Sequence, residues 1–170
     1  MNIALRFVDL CLFKAGPSDL PASQSLLKIT LLIYLLMSIM VNQLDSDLNT
    51  SLFISLADVL FIMVATGALL KIRGYQARYT QTLTALAGTG ICIALLGFPI
   101  IWWFYQVPAE QQATSLAMLL MIALMFWSLM VTAHIFRQSL AIKASTAAML
   151  TIAYTVIALL VTGLVMSGVA

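Results

Sequence analysis

Five long apolar runs limit how this chain can fold more than any other feature of its sequence. They cover approximately residues 26–44, 52–70, 83–107, 116–136 and 147–166. A helix needs about 20 mainly apolar residues to cross the hydrocarbon core of a bilayer. The runs are rich in Leu, Met and Ala, and they lack the period-two alternation of β-barrel strands. The sequence therefore predicts an all-α membrane protein, a bundle of five transmembrane helices.

The composition supports this prediction and limits the classes of partner. Of the 170 residues, 63% are hydrophobic and 8% are charged, whereas a soluble domain has about 25% charged residues. The net charge is +2 and no block of Lys and Arg is present, so a nucleic-acid partner is excluded. The links between the runs are short. We therefore expect a single membrane domain over residues 1–170, with membrane lipid and possible membrane-protein or self-association partners.

The basic residues predict the orientation of the chain. All eight fall before the first run, just inside it, or in the second and fourth links: Arg6, Lys14, Lys28, Lys71, Arg73, Arg78, Arg137 and Lys143. The first and third links carry Asp45, Asp47 and Glu110 instead. Because basic residues concentrate on the cytoplasmic side, the pattern predicts a cytoplasmic N-terminus and a C-terminus outside. We expect a multi-pass protein of the cytoplasmic (inner) membrane of a bacterial-type cell.

Residues 2–14, NIALRFVDLCLFK, precede the first run and are too few to span a membrane. Asn2, Arg6 and Asp9 fall near one face at helical spacing, and the remaining residues are mostly apolar. This pattern is typical of a short amphipathic helix that lies in the membrane interface. Five helices preceded by such a helix are the predicted fold.

Residues 15–23, AGPSDLPAS, join this helix to the first run. The segment carries the turn-forming residues Gly16, Pro17, Asp19 and Pro21. Ser18 or Asp19 is predicted to cap the next helix, with Pro21 in its first turn. We interpret the segment as an elbow between the interfacial helix and the first span; a loop that docks a partner is the alternative.

Ionisable residues inside a span are candidates for function. Asp58 lies near the middle of the second span. It is either a hydrogen-bonding tie between helices, with Tyr34, Thr89 or Thr155 as partner, or a site that binds a proton or cation. Lys28 is predicted to extend its ammonium group to the headgroups, too far in depth to pair with Asp58. His134, near the inner end of the fourth span, is interpreted as an interfacial residue.

The third span, TLTALAGTGICIALLGFP, combines small and polar residues. Its candidate packing residues are Thr84, Gly88, Gly90, Ala94, Gly97 and Pro99. Small residues four apart let helix backbones approach closely, and Gly97 with Pro99 is expected to kink the outer end. This span is therefore predicted to lie at the centre of the bundle.

No sequence motif points to catalysis or to a metal. GxSxG, HExxH and P-loop patterns are absent, and a single histidine excludes a histidine-rich metal site. Cys11 and Cys92 are interpreted as small apolar side chains. We expect no catalytic residues, no metal ligands and no cofactor.

The five spans, the short links and the polar third span around TALAGTG resemble the Yip-domain family of small membrane proteins. The Gly16-Pro17 and Asp19-Leu20 pairs also resemble the acidic Gly-Pro segment of eukaryotic members, although their order differs. The resemblance implies the five-span fold over about residues 16–168. The sequence as a whole favours a non-enzymatic organising or accessory subunit that acts through helix packing; the alternative is a small transporter or channel component that uses Asp58.

Overall fold

The computed structural model describes residues 3–106 and 112–169. These residues form six α-helices: α1 (Ile3–Cys11), α2 (Gln24–Asn42), α3 (Leu48–Ile72), α4 (Tyr79–Gln106), α5 (Gln112–Ser139) and α6 (Ala144–Val169). Short 3-10 turns at Pro17–Asp19 and Gln76–Arg78 precede α2 and α4. The described ranges contain no β-strand, and Glu110 lies outside them.

The predicted fold class is confirmed: five helices, α2 to α6, are long and apolar enough to cross a membrane, and a short helix precedes them. Each of the five apolar runs overlaps one of these helices. The helices extend beyond the apolar runs at several ends because polar caps, rather than hydropathy, determine where a helix begins.

Two polar side chains begin α2 and α3. The Ser23 hydroxyl accepts a hydrogen bond from the Leu26 amide at 3.3 Å, and the Asp47 carboxylate accepts one from the Asn49 amide at 3.1 Å. The sequence prediction of an α2 cap at Ser18 or Asp19 is wrong.

The reason lies in the elbow itself. The Asp19 carboxylate turns back and accepts from the Gly16 amide at 2.7 Å, so it is not available to α2. Pro17 begins the 3-10 turn, and Pro21 lies before α2 rather than in its first turn. Gly16 packs so closely against the Gln138 side chain that a Cβ would overlap it.

The helix α4 is at the centre of the bundle, as its small residues predict. Every residue from Thr82 to Thr89 is buried, which means that two turns of α4 are covered on all sides. This helix packs against α1, α2, α3 and α5. The remaining spans complete the bundle through contacts of α2 with α3, α3 with α6, and α6 with α5.

Three glycines of α4 each face a different helix. A Cβ at Gly88 would overlap the Phe7 ring of α1. At Gly90 it would lie 2.5 Å from a ring carbon of Tyr34 in α2, and at Gly97 it would lie 2.9 Å from a methyl carbon of Leu124 in α5. Small residues at these positions therefore set how closely the neighbouring helices approach.

The other candidate packing residues of α4 have different surroundings. Thr84 is fully buried and its hydroxyl donates to the Thr80 carbonyl at 2.7 Å. Ala94 is half-buried, and Pro99 is exposed. The helix continues through Pro99 to Gln106.

The two ends of the bundle differ in charge. Gln24 Nε2 of α2 lies 3.2 Å from the Thr80 hydroxyl of α4, and Arg78 reaches the last carbonyls of α5. We call this the basic end; it carries Lys71, Arg73, Arg78, Arg137 and Lys143. The opposite end, with Asp45 and Asp47 in the link between α2 and α3, is the acidic end.

The first helix, α1, extends into the bundle from the basic end. The indole N–H of Trp127 donates to the Cys11 carbonyl at 3.0 Å, and Trp127 lies about 18 Å along α5 from Ser139, at 1.5 Å per residue. With Phe7 against Gly88 and the Cys11 thiol close to that of Cys92, α1 runs in the same direction as α4. The sequence predicted a helix lying in the membrane interface with its apolar face in lipid. The described residues of α1 instead pack against α4 and α5, because the missing side chain at Gly88 makes room for Phe7.

The end of α1 is a Schellman motif. The Lys14 amide donates to the Asp9 carbonyl at 2.8 Å, and the Phe13 amide donates to the Leu10 carbonyl at 3.1 Å. Phe13 has a φ of 61°, the left-handed conformation that glycine usually supplies in this motif. The chain then returns along α5 to the elbow.

Candidate functional site

The carboxylate of Asp58 is hydrogen-bonded to a neighbouring helix. Asp58 lies on the inward-facing side of α3, because it continues the stripe formed by Ser55 and Ile62, both buried. The Tyr34 hydroxyl of α2 donates to Asp58 Oδ2 at 2.6 Å. This distance lies in the usual range for a hydrogen bond between a hydroxyl group and a carboxyl oxygen. Tyr34 is one of the three partners that the sequence suggested.

A cavity of about 380 Å³ lies beside this pair. Its lining extends from Ile62 and Leu86 in the middle of the bundle to Asn42 and Ile101 towards the acidic end. At 1.5 Å per residue, the inner limit of the lining is about 10–15 Å from the basic end. The lining residues do not continue to that end, so the cavity approaches only one side of the membrane.

Every span contributes a polar side chain to the lining. These are Tyr34, Ser38 and Asn42 from α2, Asp58 from α3, Thr89 from α4, Ser128 and Thr132 from α5, and Tyr154 from α6. Asp58 is the one ionisable carboxyl group among them. The rest of the lining is apolar. A cavity that has a polar side chain from each span and room for several water molecules can hydrate an ion or a hydrophilic solute inside the bilayer.

Asn42 links the helices that surround the cavity towards the acidic end. Its side-chain amide donates to the Ser55 hydroxyl at 3.1 Å and lies 3.4 Å from the Ser38 hydroxyl. The bond to Ser55 joins α2 to α3 about one helical turn along α3, and about two turns along α2, from the bond between Tyr34 and Asp58. The two bonds together fix the helix pair that carries the carboxylate.

Tyr154 is a site residue that the sequence analysis missed. It lines the same cavity as Asp58, and its ring packs against Phe61 and Phe136, with ring centroids 4.9 and 5.2 Å away. A tyrosine within an apolar run is a weak signal, because the sequence does not show which way it faces. Its neighbour Thr155 was suggested as a partner of Asp58 instead.

The other suggested partner, Thr89, makes different hydrogen bonds. Its hydroxyl donates to the Ala85 and Leu86 carbonyls of its own helix, at 2.8 and 3.2 Å. The residue is buried and its side chain still lines the cavity.

Lys28 and His134 are not part of this site. Lys28 is exposed and lies about 9 Å along α2 from Tyr34, at 1.5 Å per residue. His134 Nε2 lies 3.0 Å from the Ala15 carbonyl oxygen and 2.9 Å from Gln138 Nε2, and the imidazole ring packs edge-on against Phe13. His134 therefore holds the elbow against α5.

The chemistry available in the cavity is that of one carboxyl group among hydroxyl and amide groups. Such a group can bind and release a proton or coordinate a small cation. Within the described ranges, no three His, Cys, Asp or Glu side chains lie close enough together to hold a metal ion.

The fold and the cavity define a multi-pass membrane protein with an intramembrane carboxylate. Comparisons with protein-family models, curated proteins and solved structures found no match to this chain. The resemblance to Yip-domain proteins therefore stays a prediction.

Proposed function

We propose that this chain is a small transporter or channel component of a cytoplasmic membrane, in which Asp58 binds a proton or a small cation. The observation that carries the proposal is the position of the carboxyl group, hydrogen-bonded to Tyr34 at 2.6 Å beside a cavity of about 380 Å³ to which each of the five spans contributes a polar side chain. A charge placed inside a bilayer is costly, and such residues usually belong to a pathway for ions or protons.

The cavity approaches the acidic end alone, so movement across the membrane requires a rearrangement near Ile62 and Leu86. Two buried hydroxyl groups, those of Thr66 in α3 and Thr151 in α6, have no hydrogen-bond partner among the described residues. Both lie between the inner limit of the cavity and the basic end. They supply polar groups along the part of the pathway that is closed in this conformation.

The first test of the proposal is chemical labelling of Asp58. Dicyclohexylcarbodiimide is apolar and reacts with protonated carboxyl groups, so Asp58 should be modified in membranes and the modification should decrease as the pH is raised. Peptide mass spectrometry identifies the modified residue. The Asp9 carboxyl group, outside the cavity, is the internal comparison. If the reagent modifies Asp9 but not Asp58, the proposal that Asp58 is accessible through the cavity is contradicted.

Two substitutions then separate the charge of Asp58 from its hydrogen bond. Asp58→Asn retains an acceptor for Tyr34 but removes the charge, whereas Tyr34→Phe retains the carboxylate but removes the hydrogen bond. In proteoliposomes that contain a pH-sensitive dye, Asp58→Asn should abolish proton flux driven by a membrane potential while the protein stays folded. Tyr34→Phe should retain part of the flux. Equal flux in wild type and Asp58→Asn would exclude a role for the carboxylate.

A second candidate function is that of a non-enzymatic organising or accessory subunit. Two observations favour it: the cavity approaches only the acidic end, and α4 is closely packed. Both suit a rigid scaffold better than a protein that changes conformation during transport. The Asp58–Tyr34 bond would then be a structural tie, and Tyr34→Phe would lower stability more than Asp58→Asn. Crosslinking in native membranes followed by mass spectrometry would identify a stoichiometric membrane-protein partner. The Yip-domain resemblance belongs to this second proposal.

A further inference from the structure

A second pocket lies at the basic end, separate from the Asp58 cavity. Its volume is about 340 Å³, and three parts of the chain form it: the elbow at Pro17 and Ser18, the beginning of α4, and the end of α5 with Ala141 beyond it. Arg78 and Arg137 supply two positive charges to its lining, and none of the described acidic residues lines it. The pocket is therefore suited to an anion.

Arg78 is held in place before any ligand binds. Its Nη1 donates to the carbonyls of Gln138 and Ser139 at 3.2 Å each, and its guanidinium lies 4.8 Å from the centre of the Tyr75 ring. These bonds satisfy two of the carbonyls that the end of α5 leaves unpaired. They use one nitrogen of the guanidinium, which leaves Nη2 and Nε available to an anion.

Arg137 supplies the charge that is not used by the fold. It is exposed in the last turn of α5, and no hydrogen bond or ion pair joins its guanidinium group to another residue of the described ranges. Asp19 follows the lining residue Ser18 in the chain, but it does not line the pocket. Its carboxylate accepts a hydrogen bond from the Gly16 amide. Two guanidinium groups thus face one pocket, an arrangement that suits bidentate binding of phosphate oxygens.

An apolar surface continues from the pocket into the bilayer. The Phe13 ring packs against His134, about 6 Å along α5 from Gln138, at 1.5 Å per residue. Phe13 and its neighbour Leu12 are 43% and 48% exposed, although Phe13 lies against the membrane-spanning helix α5. An acyl chain can therefore lie against these side chains while its headgroup occupies the pocket.

We propose that this pocket binds the phosphate of an anionic phospholipid headgroup in the leaflet at the basic end. Basic pockets between transmembrane helices are suited to anionic headgroups, and here the apolar surface at Leu12 and Phe13 favours a lipid over a free phosphate ion. The inference does not depend on the role of Asp58. A lipid in this position would hold the elbow, α4 and α5 together.

The test compares two substitutions that remove the same charge. Arg137→Gln removes a pocket residue, whereas Arg73→Gln removes an exposed arginine of the same end that does not line the pocket. The full-length proteins are titrated with phosphatidylglycerol in a neutral detergent, and bound lipid is counted by native mass spectrometry. Arg137→Gln should weaken binding about tenfold or more, the effect of losing a hydrogen bond between charged groups, and Arg73→Gln should leave it within about twofold.

Two further arms identify the source of the phosphate. Phosphatidylcholine, which has no net charge, should bind weakly to wild type and to both variants, and inorganic phosphate at millimolar concentration should not displace phosphatidylglycerol. Displacement by inorganic phosphate would overturn the lipid assignment in favour of a phosphate-ion site. If both substitutions weaken phosphatidylglycerol binding equally, or if neither weakens it, the assignment of the lipid to this pocket is overturned.

Discussion

Two helical glycines in this protein have opposite surroundings. At Gly90 in α4, a Cβ would lie 2.5 Å from a ring carbon of Tyr34, whereas at Gly163 in α6 no neighbouring atom of the described residues lies within 4 Å of that position. Both glycines lie inside spans, so the intrinsic preference of a helix for alanine is the same at both. A comparison of the two positions therefore isolates the packing contribution.

We predict that Gly90→Ala destabilises the protein by about 1–3 kcal/mol, the range for overpacking of a close-packed site. Gly163→Ala should instead be neutral or stabilise it by up to about 0.5–1 kcal/mol, because alanine is the better helix former. Thermal unfolding of the two purified variants in the same detergent measures the difference. Similar unfolding temperatures would show that α4 and α2 do not approach as closely as described.

The sequence predicted residues of the site where a residue is unusual for its surroundings. Asp58 was identified because a carboxylate is rare inside a span, and Tyr34 was one of three polar residues of other spans suggested as its partner. Tyr154 was not identified, since tyrosine is common in apolar runs. The direction of its side chain depends on how α6 is rotated, which a single sequence does not determine.

Among the elements, α1 shows most clearly what hydropathy leaves undetermined. Its apolar face was evident from the sequence, but an apolar face can meet either lipid or protein. The small side chain at Gly88 makes room for Phe7, and this contact between distant segments cannot be deduced from the periodicity of either one. The first residues of α2 and α3 were not determined by hydropathy either. Ser23 and Asp47 cap these helices from within polar links.

The position of α1 leads to a prediction about its cysteine. Cys92 lies 13 residues after the start of α4, which is about 20 Å along the helix, and its thiol lies close to that of Cys11. Oxidation by copper–phenanthroline should therefore join the two as an intramolecular disulfide. Peptide mass spectrometry without reduction detects the linked peptides, and Cys92→Ser is the control that cannot form them. Two thiols that remain separately alkylatable would place α1 away from α4.

At the scale of the whole molecule, the basic residues and the Asp58 cavity lie towards opposite ends of the helix bundle. The basic residues of the helix links gather at the end where α4 begins, and the Asp58 cavity approaches the other end. The distribution of charge predicted the orientation before any contact was known, because the cost of moving Lys and Arg across a membrane does not depend on packing. The cavity depended on how five helices pack, and the sequence did not reveal it.

The orientation itself is open to a direct test with two charge-neutral substitutions. Gln43→Cys places a thiol at the acidic end and Ala77→Cys places one at the basic end, and both positions are exposed. Because basic links stay in the cytoplasm, a membrane-impermeant maleimide should label Gln43→Cys in intact cells and Ala77→Cys only in inverted vesicles. Wild type is the control, since Cys11 is buried and Cys92 lies inside α4.

The opposite labelling pattern would have consequences for both proposed sites. The Asp58 cavity would then approach the cytoplasm, so that protons would enter it from the inside rather than from the outside. The pocket formed with Arg78 and Arg137 would face the outer leaflet, where it would meet a different set of lipids. The predicted pattern instead places the pocket at the cytoplasmic leaflet, whose anionic lipids attract basic groups, and orients the cavity to receive ions from outside.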